Sequence, residues 1–92
     1  MTAQVTVDTT PNENALKFNV DKKILESGYK TFNNLDEAKD FPVAVKIFEN
    51  EGIASVFLMA AGETGFITVT KAPEAKWDGL AEKIVEDIKA TL

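Results

Sequence analysis

The sequence predicts an α+β fold, a two-layer sandwich in which helices cover one face of a mainly antiparallel sheet. Three observations predict it. Ala15-Leu16-Lys17-Phe18-Asn19-Val20-Asp21 alternates apolar and polar residues, and Phe66-Ile67-Thr68-Val69-Thr70-Lys71 is rich in β-branched residues. Both are signatures of strands packed on one side. Trp77, Leu80, Ala81, Ile84, Val85, Ile88 and Leu92 recur at the spacing of one helix face, with Asp78, Glu82, Lys83, Glu86 and Lys89 on the other. A nearly unbroken apolar run from Ile53 to Met59, followed by a glycine-bearing loop from Ala60 to Gly65, reads as the first half of a hairpin.

Taken in order, Gln4 to Asp8 alternates as a half-buried strand does. Thr9-Thr10-Pro11-Asn12-Glu13-Asn14 is a turn, and the strand from Ala15 follows, so the first two strands are expected to be antiparallel neighbours. Ser27-Gly28 marks a turn, and Tyr29-Lys30-Thr31-Phe32 fits a short strand. Asn34 offers an N-cap, with Asp36 and Glu37 suited to the positive end of a helix. Pro42 fits the first turn of a fresh helix, on which Phe41, Ala44, Val45 and Phe48 share a stripe broadened by Val43 and Ile47; Gly52 is placed to stop it. The Ile53–Met59 run reads as a central strand buried on both faces. The last helix begins near Pro73. The order is β-β-(short β)-α-β-β-α, with about four main strands and two helices in one domain spanning residues 1–92.

The most informative chemical fact is an inventory: the 92 residues contain no cysteine and no histidine. That excludes thiolate chemistry, disulfides and cysteine ligation of an iron–sulfur cluster by this chain, as well as the usual zinc ligands and the default general base near neutral pH. Oxygen ligands remain, but no Asp/Glu run has the spacing of a calcium loop. Ser27 and Ser55 are the only serines, and neither lies in a nucleophile elbow. Asp36-Glu37, Asp40, Glu49-Glu51 and Glu86-Asp87 fall where solvated helix faces or ends put them. Gly62-Glu63-Thr64-Gly65 leads into a strand, whereas phosphate loops open a helix. A non-enzyme without a cofactor is expected. The net charge of −5 argues against nucleic acid and anionic membranes as partners. The opening residues lack the features of a signal peptide and no stretch is long enough to span a bilayer, so a cytoplasmic monomer is expected.

Trp77 reads foremost as a core anchor on the last helix. Thr68 and Thr70 share the strand face opposite Ile67 and Val69, and with Lys17 and Lys71 could form a small polar docking surface.

Four segments, in order along the chain, resemble the N-terminal domain of Nfu/NifU-like iron–sulfur scaffold proteins. They are Thr10-Pro11-Asn12-Glu13-Asn14-Ala15-Leu16-Lys17-Phe18, Phe41-Pro42-Val43-Ala44, Gly52-Ile53-Ala54-Ser55-Val56-Phe57, and Phe66-Ile67-Thr68-Val69-Thr70-Lys71 followed by Trp77. Glu13 stands where the family usually carries a second proline. The resemblance implies the α+β fold and a connection to iron–sulfur cluster assembly. It also implies a stand-alone copy, without the separate Cys-x-x-Cys domain that holds the cluster in full-length scaffolds. The expected role is a non-catalytic interaction module whose partner is a cysteine-bearing scaffold or an apo iron–sulfur protein. Asn12, Asn14 and Lys17, with Thr68, Thr70 and Lys71, are the candidate partner-binding residues; turn chemistry is an equal explanation for Asn12 and Asn14. The competing expectation is a small-molecule domain with an apolar pocket between the sheet and the last helix, near Trp77.

Overall fold

The structure, a computed structural model, describes residues 4–91. Residues 1–3, read above for a leader segment, and Leu92, the last residue of the helical stripe, lie outside it. Five strands form one antiparallel sheet: β1 (Val5–Thr9), β2 (Ala15–Val20), β3 (Tyr29–Phe32), β4 (Ile53–Ala61) and β5 (Thr64–Lys71), in spatial order β1-β2-β5-β4-β3. Three helices, α1 (Leu35–Ala38), α2 (Pro42–Phe48) and α3 (Leu80–Thr91), lie against one face. The expected two-layer α+β architecture is what is observed, with a fifth strand in the sheet and the first helical region split in two. The split has a local cause. Asn34 accepts a hydrogen bond from the Glu37 amide and Glu37 reaches back to the Asn33 amide, which fixes the start of α1. Pro42 then opens α2 at its first turn.

Strand register decides which side chains meet. On the inner face, Val7, Phe18, Ile67, Leu58 and Lys30 form one row across the five strands, and Thr9, Leu16, Val69, Val56 and Phe32 form the next. Phe18, Ile67, Leu58, Val69 and Val56 are fully buried against Ala44 and Ile47 of α2 and Ile84 and Ile88 of α3. Each such side chain contributes about 1.5–3 kcal/mol by leaving water. Gly65 is required in this layer: a Cβ there would lie 2.6 Å from a carbon of Ile24 and 2.7 Å from the Met59 carbonyl oxygen.

Several sequence expectations are corrected. The β4–β5 connection is a two-residue turn at Gly62-Glu63, since Ala61 pairs with Thr64. Gly62 alone has positive φ, +65°, the pattern of a type II′ turn. β4 is not central and is buried on one face only, because every helix takes the same side of the sheet; β5 is the middle strand. α2 ends at Phe48, and Gly52 instead turns the chain into β4 with φ +87°. The last helix begins at Leu80, behind Gly79 at φ +75°, so Trp77 precedes it. Asp87 is not on a solvated face. It is 3% exposed, accepts from the Asn50 side-chain amide at 2.8 Å and pairs with Lys83 at 3.4 Å, tying α3 to the end of α2.

Candidate functional site

Alternation along the strands sends the remaining side chains to the face without helices. There Asp8, Lys17, Thr68, Phe57 and Thr31 form one row across the sheet, and Thr6, Asn19, Phe66, Met59 and Tyr29 the next. The aromatic members connect diagonally. Tyr29 and Phe57 have ring centroids 5.7 Å apart, Phe57 and Phe66 are 6.2 Å apart, and the Lys17 ammonium lies 4.4 Å over the Phe66 ring. These are distances at which aromatic pairs and cation–π contacts add to simple burial. Tyr29 is 65% exposed, while Phe57, Met59, Phe66, Thr68 and Thr70 are half-buried. The face thus carries an aromatic–methionine patch of the composition that marks protein interfaces. Its only charged residues in the two rows are Lys17 and Asp8, so it is locally neutral on a chain of net charge −5.

The six residues singled out from the sequence divide between two places. Lys17, Thr68 and Thr70 lie on the open face, with Lys17 directly opposite Thr68. Lys71 does not join them, because the next residue along a strand points to the other side. It is 7% exposed on the inner side, where its ammonium donates to the Asn14 side-chain oxygen at 2.8 Å and to the Ala72 carbonyl at 3.4 Å, and lies 6.0 Å from the Trp77 ring centroid. Asn12 accepts from the Asn14 amide and takes part in the turn with Thr10; the Trp77 indole donates to the Glu13 carbonyl at 3.2 Å. Asn12, Asn14 and Lys71 therefore build a corner that holds the β1–β2 turn to the end of β5.

Tyr29, Phe57, Met59 and Phe66 are surface residues that the sequence expectations do not single out. The signal was parity: Phe66 shares its face with Thr68 and Thr70, and pairing carries that face onto Phe57. The surface has two hollows, of which only the first borders the open face. One, about 490 Å³, lies beside Lys17 and Phe66 and is lined in part by Thr6, Asn19 and Thr64. The other, about 420 Å³, is lined by Ile24, Leu25 and Phe41 with Lys23 and Lys30. Neither reaches Trp77, where the small-molecule reading placed its pocket.

Comparison with known proteins fits this geometry to a family. The sequence profile described as "Scaffold protein Nfu/NifU N terminal" matches residues 5–92. The chain belongs to the Nfu/NifU N-terminal family. Among its relatives, the human "NFU1 iron-sulfur cluster scaffold homolog, mitochondrial" is 39% identical over 84 residues, covering 90% of this chain and 30% of the human protein. "NifU-like protein 4, mitochondrial" of Arabidopsis thaliana is 32% identical over 80 residues, covering 87% of this chain and 27% of its own. This Nfu-type domain thus spans less than a third of the curated relatives it matches. In structure it resembles the NMR structure of a NifU-like protein from Saccharomyces cerevisiae, with a TM-score of 0.74, 26% identity, and coverage of 97% of this chain and 77% of that one. A crystal structure of the Staphylococcus aureus protein SAV1430 superimposes with a TM-score of 0.75 at 23% identity, covering 95% and 98%, and shares the fold. No helix among the described residues is long and apolar enough to cross a membrane. The relatives quoted from human and Arabidopsis are mitochondrial by name, so they lend no support to the cytoplasmic expectation.

The donor set does not fit an iron–sulfur cluster. Cluster iron takes thiolates, with histidine as the occasional substitute, and this chain has neither. Among the described residues no three His, Cys, Asp or Glu side chains are grouped to hold a metal ion.

Proposed function

We propose that this Nfu-type domain is a non-catalytic docking module in iron–sulfur cluster assembly or delivery, contributing recognition while a partner supplies the cluster's ligands. The partner is a cysteine-bearing scaffold or an apo iron–sulfur protein, and it meets the open sheet face. The observation that carries the reading is the pairing of a Tyr29–Phe57–Phe66 ladder on the open sheet face with a chain devoid of cluster ligands. Family membership adds the setting, since the human relative is named an iron–sulfur cluster scaffold homolog. Lys17, Thr68 and Thr70 border the ladder and provide polar contacts around an aromatic centre, the usual arrangement of an interface hot spot.

Affinity capture from the native cells, using the wild-type chain and a Phe57→Ala/Phe66→Ala variant, tests this. The wild type is expected to retain a cluster-assembly protein or an apo-target, and the variant to lose it. Recovery of neither class, or equal recovery by both baits, counts against the proposal.

A further inference from the structure

The two edges of the sheet are not equally protected. β3 has four residues and carries Lys30 within it; each edge has a helix beside it, α1 at β3 and α3 at β1, so the difference lies in the strands themselves. β1 has five residues, no lysine, no proline and no bulge, and Val7 in its middle is 41% exposed. Charged residues, prolines and bulges are the devices that blunt an edge, and β1 lacks all but Asp8.

The register shows which backbone groups of β1 are unused. The Asp21 amide donates to the Gln4 carbonyl, one step beyond the Val5–Val20 pair. Gln4 and Asp21 are therefore a hydrogen-bonded pair, and alternation makes Thr6–Asn19 and Asp8–Lys17 the next two. The second ladder agrees. The Lys71 amide donates to the Asn14 carbonyl, which sends the backbone groups of Leu16, Phe18 and Val20 toward β5 and those of Lys17 and Asn19 toward β1. The N–H and C=O groups of Val5, Val7 and Thr9 thus point outward. Among the described residues, no backbone bond outside the strand ladders involves them.

We infer that β1 is a self-pairing edge whose occupant is β1 of a second copy, antiparallel about a two-fold axis at Val7. The strand is complementary to itself in that register. Val7 faces Val7 of the second copy and covers the exposed side chain; Val5 faces Thr9, and Thr9 faces Val5. Three pairs exchanging two bonds each give about six backbone hydrogen bonds. On the open face, Thr6 stands opposite Asp8 of the second copy, a hydroxyl against a carboxylate. Centring the axis on Asp8 sets two carboxylates against each other, which opposes pairing. Centring it on Thr6 sets Thr9 opposite position 3, outside the described residues. The Val7 register pairs every outward group of β1 within β1 itself without opposing like charges. It runs the two sheets together and makes their open faces continuous. This assembly does not depend on the docking role of either face.

Sedimentation velocity on the full chain tests it. A dimer with a dissociation constant on the order of 0.1 mM is expected, because a strand-edge interface falls below about 1,200 Å². Hydrogen exchange should slow at the Val5, Val7 and Thr9 amides as concentration rises, with no such change at Thr6 and Asp8. Val7→Pro removes an amide that the β1–β2 pairing does not use, and should weaken dimerisation by about tenfold or more while far-UV circular dichroism is retained. Val7→Lys, which opposes two ammonium groups at the axis, should do the same and serves if the proline variant fails to fold. A wild-type chain that stays monomeric to about 1 mM overturns the inference. So does a dimer that a folded Val7 variant leaves intact, or protection confined to residues outside β1.

Discussion

The two faces of this sheet are made from the same strands yet obey different rules. Ile67 and Phe66 are neighbours on β5. Ile67 is fully enclosed by the helices, whereas Phe66 lies half-buried in the open, with the Lys17 ammonium 4.4 Å over its ring. Inside, side chains touch others on every side and any change of volume is felt. Outside, a ring touches the sheet below it and water above, and a lysine stem can cover part of it. The inner face sets stability, and the outer face is available for contact with other molecules.

Substitutions can break or sharpen that contrast. The largest effect is expected at Ile67→Ala, which should destabilise the domain by about 2–5 kcal/mol in denaturant unfolding, as buried aliphatic truncations do. Gly65→Ala, also in the inner layer, should cost about 1–3 kcal/mol, since the added methyl collides with the Met59 carbonyl oxygen, and thermal unfolding will report it. Lys71→Met keeps the packed stem but strands the Asn14 oxygen, for an expected loss of about 1–2 kcal/mol in the same measurement. On the open face, Phe66→Ala should lower stability by about 1 kcal/mol or less while abolishing partner capture. Thr68→Ala should stay within about 0.5 kcal/mol of wild type. The contrast fails if Phe66→Ala unfolds the domain as readily as Ile67→Ala.

Much of this was readable in the residues themselves. The alternation of Leu16, Phe18 and Val20 against Lys17 and Asn19 identified β2 and its inner face, and Ile84 and Ile88 marked the buried stripe of α3. Phe57 and Met59 read as buried because an unbroken apolar run looks the same whether one or two layers cover it. Only the placement of all three helices on one side distinguishes the cases, and that is a tertiary fact. Lys71 follows Thr70 directly in sequence, yet strand parity alone separates it from Thr68 and Thr70. Asp87 sits among Lys83, Glu86 and Lys89, so nothing local distinguishes it. Its burial depends on Asn50, which is 37 positions away. The backbone vacancies of β1 needed the register, which hydrophobic patterning cannot supply.

The indole of Trp77 hydrogen-bonds to a carbonyl 64 positions earlier in the chain, at Glu13. Because it is the sole tryptophan, its fluorescence comes from that corner alone and reports when the two ends of the polypeptide have closed on each other. An emission curve that coincides with ellipticity during unfolding would mark a single cooperative unit; one that leads it would mean the corner unlatches while the strands are still paired.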